Sequence, residues 1–79
     1  MYYVYILESL KDKSRYIGTT LDLKNRLTEH NNGETKSNKP KLPYKIAWYC
    51  AIPQKDIAYK FERYLKSSSG HAFTNKHLL

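Results

Sequence analysis

The sequence predicts a small α+β sandwich, one sheet with helices packed on it, in the order β-β-α-β-α-α. Three observations carry that prediction. Residues 2–8 (YYVYILE) and 44–52 (YKIAWYCAI) are rich in the aromatic and β-branched side chains that fit a pleated surface. The polar loop 9–14 is too short to join the first of these to residues 15–19 (RYIGT) except as an antiparallel hairpin. Segments 22–31 and 53–66 carry their apolar residues at helical spacing.

The first strand is apolar nearly throughout, as expected of a central strand covered on both faces. Thr20 or Asp22 caps the first helix, in which Leu23 and Leu27 face the core together while Arg26 and His30 share a neighbouring face. Asn31-Asn32-Gly33 ends it, because Asn and Gly tolerate the left-handed region. Residues 34–43 (ETKSNKPKLP) form a polar loop. Pro53 fits the first turn of the second helix, whose apolar stripe is Ile57, Phe61, Tyr64 and Leu65. Ser67-Ser68-Ser69-Gly70 breaks that helix, and the tail HAFTNKHLL adds a short helix or a docked turn held by Phe73 and Leu78. Periodicity leaves the pairing of the third strand open.

Seventy-nine residues make one domain, 1–79, with one core worth a few kcal/mol of net stability, about 3–5. The single cysteine, Cys50, excludes an intrachain disulfide and suits a reducing cytoplasm. It lies in the apolar run of the third strand and reads as a small core residue. Zinc fingers and ribbons drop out with it. No apolar run approaches the ~18–20 residues needed to cross a bilayer. MYYVYILES lacks the basic flank of a signal peptide and reads as structure. The net charge of +7 favours a polyanionic partner, and nucleic acid leads that class over a merely solubilising surface or an acidic membrane.

No Walker loop, dinucleotide-binding glycine fingerprint, H-E-x-x-H or nucleophile elbow is present. His30, His71 and His77 lack metal-ligand spacing. Among the acids Glu62 stands out, inside the second helix beside its apolar stripe, although an i,i+4 ion pair with Lys66 would account for it equally well. Tyr5 and Tyr16 sit on adjacent strands, either as core residues or with their hydroxyls lining a cleft. Arg26 is a solvated helix residue or the partner of Tyr16 where the second strand meets the first helix.

The ordered set of residues goes further. Tyr3-Val4-Tyr5, followed by Tyr16-Ile17-Gly18, then Arg26 and His30 on the first helix, and Glu62 within AYKFERYLK, resembles the GIY-YIG nuclease superfamily over residues 2–76. Within it the chain resembles the small stand-alone proteins of the UPF0213 kind. The resemblance implies a three-stranded antiparallel sheet flanked by helices and hydrolysis of DNA phosphodiesters with one divalent metal. Carried over, Glu62 would hold Mg²⁺ or Mn²⁺, and Arg26 would clamp the scissile phosphate. Tyr5 or Tyr16 would orient or deprotonate the attacking water, His30 would assist by hydrogen bonding, and Gly18 would permit close approach. Two residues depart from the family pattern: Tyr3 stands where glycine is common, and Thr19 stands where the excision-repair nuclease has a lysine. Asn75 is the counterpart of a late family asparagine. Lys36, Lys39, Lys41 and Lys45 are candidate phosphate contacts of the salt-dependent, sequence-independent kind. The implied function is a structure-specific or weakly sequence-specific endonuclease of DNA repair or recombination, acting on branched or damaged DNA, with a protein partner supplying any further specificity. The alternative is a nucleic-acid-binding module without turnover.

Overall fold

A computed structural model describes residues 1–33 and 41–79. Its elements are β1 (Tyr2–Ser9), β2 (Arg15–Thr20), α1 (Leu23–Asn31), β3 (Tyr44–Ile52), α2 (Lys55–Lys66), α3 (Ser68–Phe73) and a closing π-helical turn, Thr74–Leu78. Both strand pairings are antiparallel and the sheet order is β2-β1-β3. This resolves the pairing that periodicity left open: β3 returns to the free side of β1, so the mainly apolar β1 is central and β2 is an edge. No helix among the described residues is long and apolar enough to cross a membrane.

Alternation along β1 sorts the core into two layers. Tyr5 and Leu7 face α1, where Tyr16, Leu23, Leu27, Tyr44 and Ile46 join them. Val4 and Ile6, both fully buried, face α2 and pack with Ile17, Ala58 and Leu65 under Trp48, Phe61, Phe73 and Leu78. Phe73 and Leu78 thus dock the tail as expected.

Asp22, rather than Thr20, caps α1, its carboxylate accepting from Asn25 N at 3.0 Å. Gly33, at φ 74, follows the Asn32 C-cap as the Asn-Asn-Gly signal requires. The second helix ends at Lys66 as expected but differs from expectation at its start and in phase. Gln54 is its N-cap, so Pro53 precedes the helix instead of entering its first turn. Its inward residues are Ala58, Phe61 and Leu65, while Ile57 and Tyr64 are 48% and 41% exposed. The small Ala58 lets the helix approach the sheet, and that sets the phase. The expected breaker Ser67–Gly70 interrupts the helix only at Ser67. Its hydroxyl donates to Tyr64 O at 2.6 Å and accepts from Gly70 N at 3.1 Å, so one side chain ends α2 and starts α3.

Asn31 contributes a contact that periodicity does not announce. Its amide donates to Tyr44 O at 3.1 Å and its oxygen accepts from Tyr44 N at 2.8 Å, imitating a ladder pair at the start of β3. Two part-buried bonds at about 1 kcal/mol each predict that Asn31→Ala costs about 1–2 kcal/mol. Urea unfolding reads this directly, and a loss below about 0.3 kcal/mol would deny the clasp an energetic role.

Candidate active site at the β2 edge

The hairpin sets Tyr5 opposite Gly18 and Leu7 opposite Tyr16, which puts both tyrosines on the α1 face. Their rings stack at 6.4 Å. From α1, His30 reaches the same layer, edge-on to Tyr16 at 4.6 Å and within 6.5 Å of Tyr5 and 6.1 Å of Tyr44. Gly18 is required here by close approach: a Cβ would lie 2.6 Å from Tyr5 Cζ. The tyrosine ring occupies the space that any side chain at position 18 would fill.

Thr19, one residue on, points to the opposite face and donates its hydroxyl to Glu62 Oε1. Lys66 Nζ holds the other carboxylate oxygen at 2.8 Å. The i,i+4 pair anticipated from sequence therefore exists, and it coexists with a second, cross-element anchor. Burial works against ionisation of Glu62, but the hydrogen bonds from Lys66 and Thr19 and the charges of Lys66 and Arg63 outweigh it. The carboxyl lies below its ordinary range and is ionised at neutral pH.

Arg26 lines a cavity of about 380 Å³ with Thr19, Asp22, Lys55 and Tyr59. Its Nε is buried with no hydrogen-bond partner among the described residues, and its terminal nitrogen makes only a long 3.8 Å contact to Glu29. An arginine held this way keeps donors for an incoming anion. Glu62 is tied through Thr19 to this cavity and through Lys66 to a second one, of about 250 Å³, lined by Arg15, Tyr16, Ile17 and His71. The two cavities share no lining residue and make a discontinuous groove along the free edge of β2. On its α2 side run Lys55, Tyr59, Glu62 and Lys66, spaced i, i+4, i+7 and i+11 on one helical face, with Glu62 lying between the cavities and lining neither. That stripe was available to sequence reading, but the apolar stripe beside it is the stronger periodic signal.

Tyr5, Tyr16, Arg26, His30 and Glu62 occupy one neighbourhood, although they do not line a single open cleft. Tyr5 is buried; burial first, then the Tyr16 phenol, push its hydroxyl well above the ordinary tyrosine value, with Arg26 opposing and Glu62 and Glu29 adding to the rise. His30, 1% exposed, is pushed down by burial and then by Arg26, against Glu29. Asn75 Oδ1 accepts from Arg15 Nη1 at 2.8 Å, which places Asn75 beside the second cavity and outside the Arg26 cavity. Lys45 pairs with Glu8 at 3.4 Å on the opposite edge strand, and the Lys41 carbonyl accepts from the buried Ser9 hydroxyl by the hairpin turn. Neither lines the groove. Lys36 and Lys39 lie outside the described residues.

The buried neutral His30 predicts a pH dependence of stability. Its folded-state value lies below its unfolded one, so the unfolded chain takes up the proton first. Stability is then lost as pH falls below about 6.5, the ordinary histidine value. His30→Gln should flatten that acid slope in pH-resolved thermal melts. An unaltered slope would assign it to other groups.

A metal bound here would meet oxygen donors. Glu62 offers one ionised carboxylate, and no cluster of three or more His, Cys, Asp or Glu suited to a metal occurs among the described residues. That donor set fits a hard ion completing its shell with water and phosphate, and it does not fit zinc.

The GIY-YIG catalytic domain family matches residues 1–76. A UPF0213 protein of Streptococcus pyogenes serotype M3 is 38% identical over 65 residues, covering 81% of this chain and 70% of its own. A UPF0213 protein of Streptococcus pneumoniae is likewise 38% identical over 65 residues, covering 81% of this chain and 65% of its own. The solution structure of a UPF0213 protein from Bacillus halodurans superposes with a TM-score of 0.60 at 31% identity, covering 99% of this chain and 87% of that one. The ordered motif and the sheet agree with these likenesses: the chain belongs to the GIY-YIG family of nuclease domains and, within it, to the UPF0213 group.

Proposed function

We propose that the protein is a metal-dependent endonuclease that hydrolyses DNA phosphodiesters in the groove along the β2 edge, on branched or damaged substrates. The observation that carries this reading is the position of Glu62. It is an ionised carboxylate, fixed by Thr19 between the Arg26 cavity and the Tyr16 cavity. Glu62 would hold Mg²⁺ or Mn²⁺, which would polarise a phosphate oxygen and lower the pKa of bound water. Arg26 directs its free donors at the scissile phosphate and offsets charge growing there. Tyr16, at the groove wall, is placed to orient or deprotonate the attacking water. Tyr5, with its proton held more tightly by burial, serves instead to fix the tyrosine–histidine layer. His30 supports Tyr16 by edge contact. Thr19, standing where the excision-repair nuclease has a lysine, orients Glu62, and Lys66 supplies the nearby ammonium.

Purified protein incubated with branched, nicked and linear DNA and Mg²⁺ or Mn²⁺ tests the reading. Cleavage that stops on chelation and is slowed by Arg26→Ala supports it. The ion pair between Lys66 and Glu62 favours a second reading, a binding module whose carboxylate is already neutralised. Intact DNA binding with no cleavage of any substrate would establish that one instead.

A further inference from the structure

The second cavity, between the β2 edge and the α2–α3 junction, borrows Tyr16 and Ile17 from the family motif, but its basic residues, Arg15, Lys66 and His71, lie outside that motif. Three basic side chains from three elements converge on it: Arg15 from the start of β2, Lys66 from the end of α2 and His71 from α3. Neither Asp nor Glu lines it. Tyr16 and Ile17 complete its wall. Arg15 is exposed but not loose, since Asn75 Oδ1 takes one of its N–H groups at 2.8 Å and leaves the remaining donors of the guanidinium directed elsewhere. Lys66 gives one of its three N–H groups to Glu62, so two remain. A fork of fixed donors in a cavity whose own lining holds no carboxylate, Glu62 lying outside it against Lys66, is chemistry that receives a phosphate.

Its position says which phosphate. Thr19, the anchor of Glu62, is three residues from Tyr16 along β2, about 10 Å at ~3.3 Å per residue. We propose that this cavity is a second phosphate subsite, in which Arg15, Lys66 and His71 bind a backbone phosphate flanking the scissile one. A nucleic-acid strand would then run along the β2 edge from the Arg26 cavity to α3. The proposal rests on the nuclease reading for the location of the scissile phosphate. The cavity itself also explains a placement that the motif left unassigned: Asn75 braces Arg15 instead of joining Arg26.

The test is DNA binding by fluorescence anisotropy in EDTA, where no cleavage occurs, over about 50–200 mM salt. Removing one phosphate contact lowers the log–log salt slope by about 1, so the double variant Arg15→Ala/His71→Ala should show that drop with affinity roughly tenfold weaker. Both side chains are exposed and their loss should leave the melting temperature in place. Arg15→Lys, with His71 intact, keeps the charge at position 15 and should keep the slope. A double-alanine variant that binds with the wild-type slope overturns the subsite. Inorganic phosphate that shifts the Arg15 and His71 amide signals, combined with an unchanged DNA slope, would make it a free-phosphate site and equally overturn the proposal. Because the slope is read in EDTA, absence of cleavage by the wild type counts against the nuclease reading and leaves the slope readable.

Discussion

Glu62→Gln should lower DNA cleavage by at least about 10²–10³-fold, the scale seen when one group that stabilises developing charge is removed. The substitution keeps the side chain's size and an oxygen for the Thr19 hydroxyl, but removes the charge that a divalent cation requires. The fold should survive. What is lost is an ion pair with Lys66, whose side chain is 53% exposed against 16% for Glu62, and pairs with one solvated partner contribute about 0–1 kcal/mol. Cleavage and melting temperature measured on the same preparation separate the two effects. Activity within threefold of wild type would remove Glu62 from the chemistry.

Gly70→Ala should be the most damaging single-methyl change in the chain. Gly70 is buried where α3 crosses the last turn of α2, and a Cβ there would fall 2.6 Å from Leu65 Cα and 2.7 Å from the Tyr64 carbonyl carbon. These are backbone atoms, which cannot rotate away as a side chain can. Overpacking of this kind costs about 1–3 kcal/mol or more, against roughly 3–5 for a core of this size. Thermal unfolding should shift down by about 4–24 °C, since each kcal/mol moves the midpoint of so small a domain by about 4–8 °C. The variant should also release Leu65 and the tail, and with them the His71 wall of the second cavity. A melting temperature within about 2 °C of wild type would mean that α2 and α3 can separate at little cost.

The elements were legible because their local signals agree: aromatic and β-branched runs for β1 and β3, a six-residue polar turn, Asp22 and Asn-Asn-Gly at the ends of α1. The phase of α2 was not, because an inward alanine is a weak hydrophobic signal and Ile57 and Tyr64 outweighed it on paper. Ser67 and Gly70 looked like breakers because serine and glycine weaken helices. Here one serine serves as a cap, and the glycine meets a close helix crossing. In the site, Tyr5, Tyr16, Arg26, His30 and Glu62 could be named from their order along the chain. Their partners could not, because Thr19 meets Glu62 across 43 residues and Arg15 meets Asn75 across 60. Such pairings depend on where α2 and the tail lie against the sheet edge, and no local rule encodes that.

The central claim is that Glu62, fixed by Thr19 at the β2 edge, is where a divalent cation binds. Titration of the labelled protein with Mn²⁺, followed by paramagnetic broadening of its amide signals, tests it without requiring turnover. The account predicts broadening centred on Thr19, Glu62 and Lys66, spreading to Arg26, competed by Mg²⁺ and abolished in Glu62→Gln. Broadening centred elsewhere, or undiminished in Glu62→Gln, would contradict it.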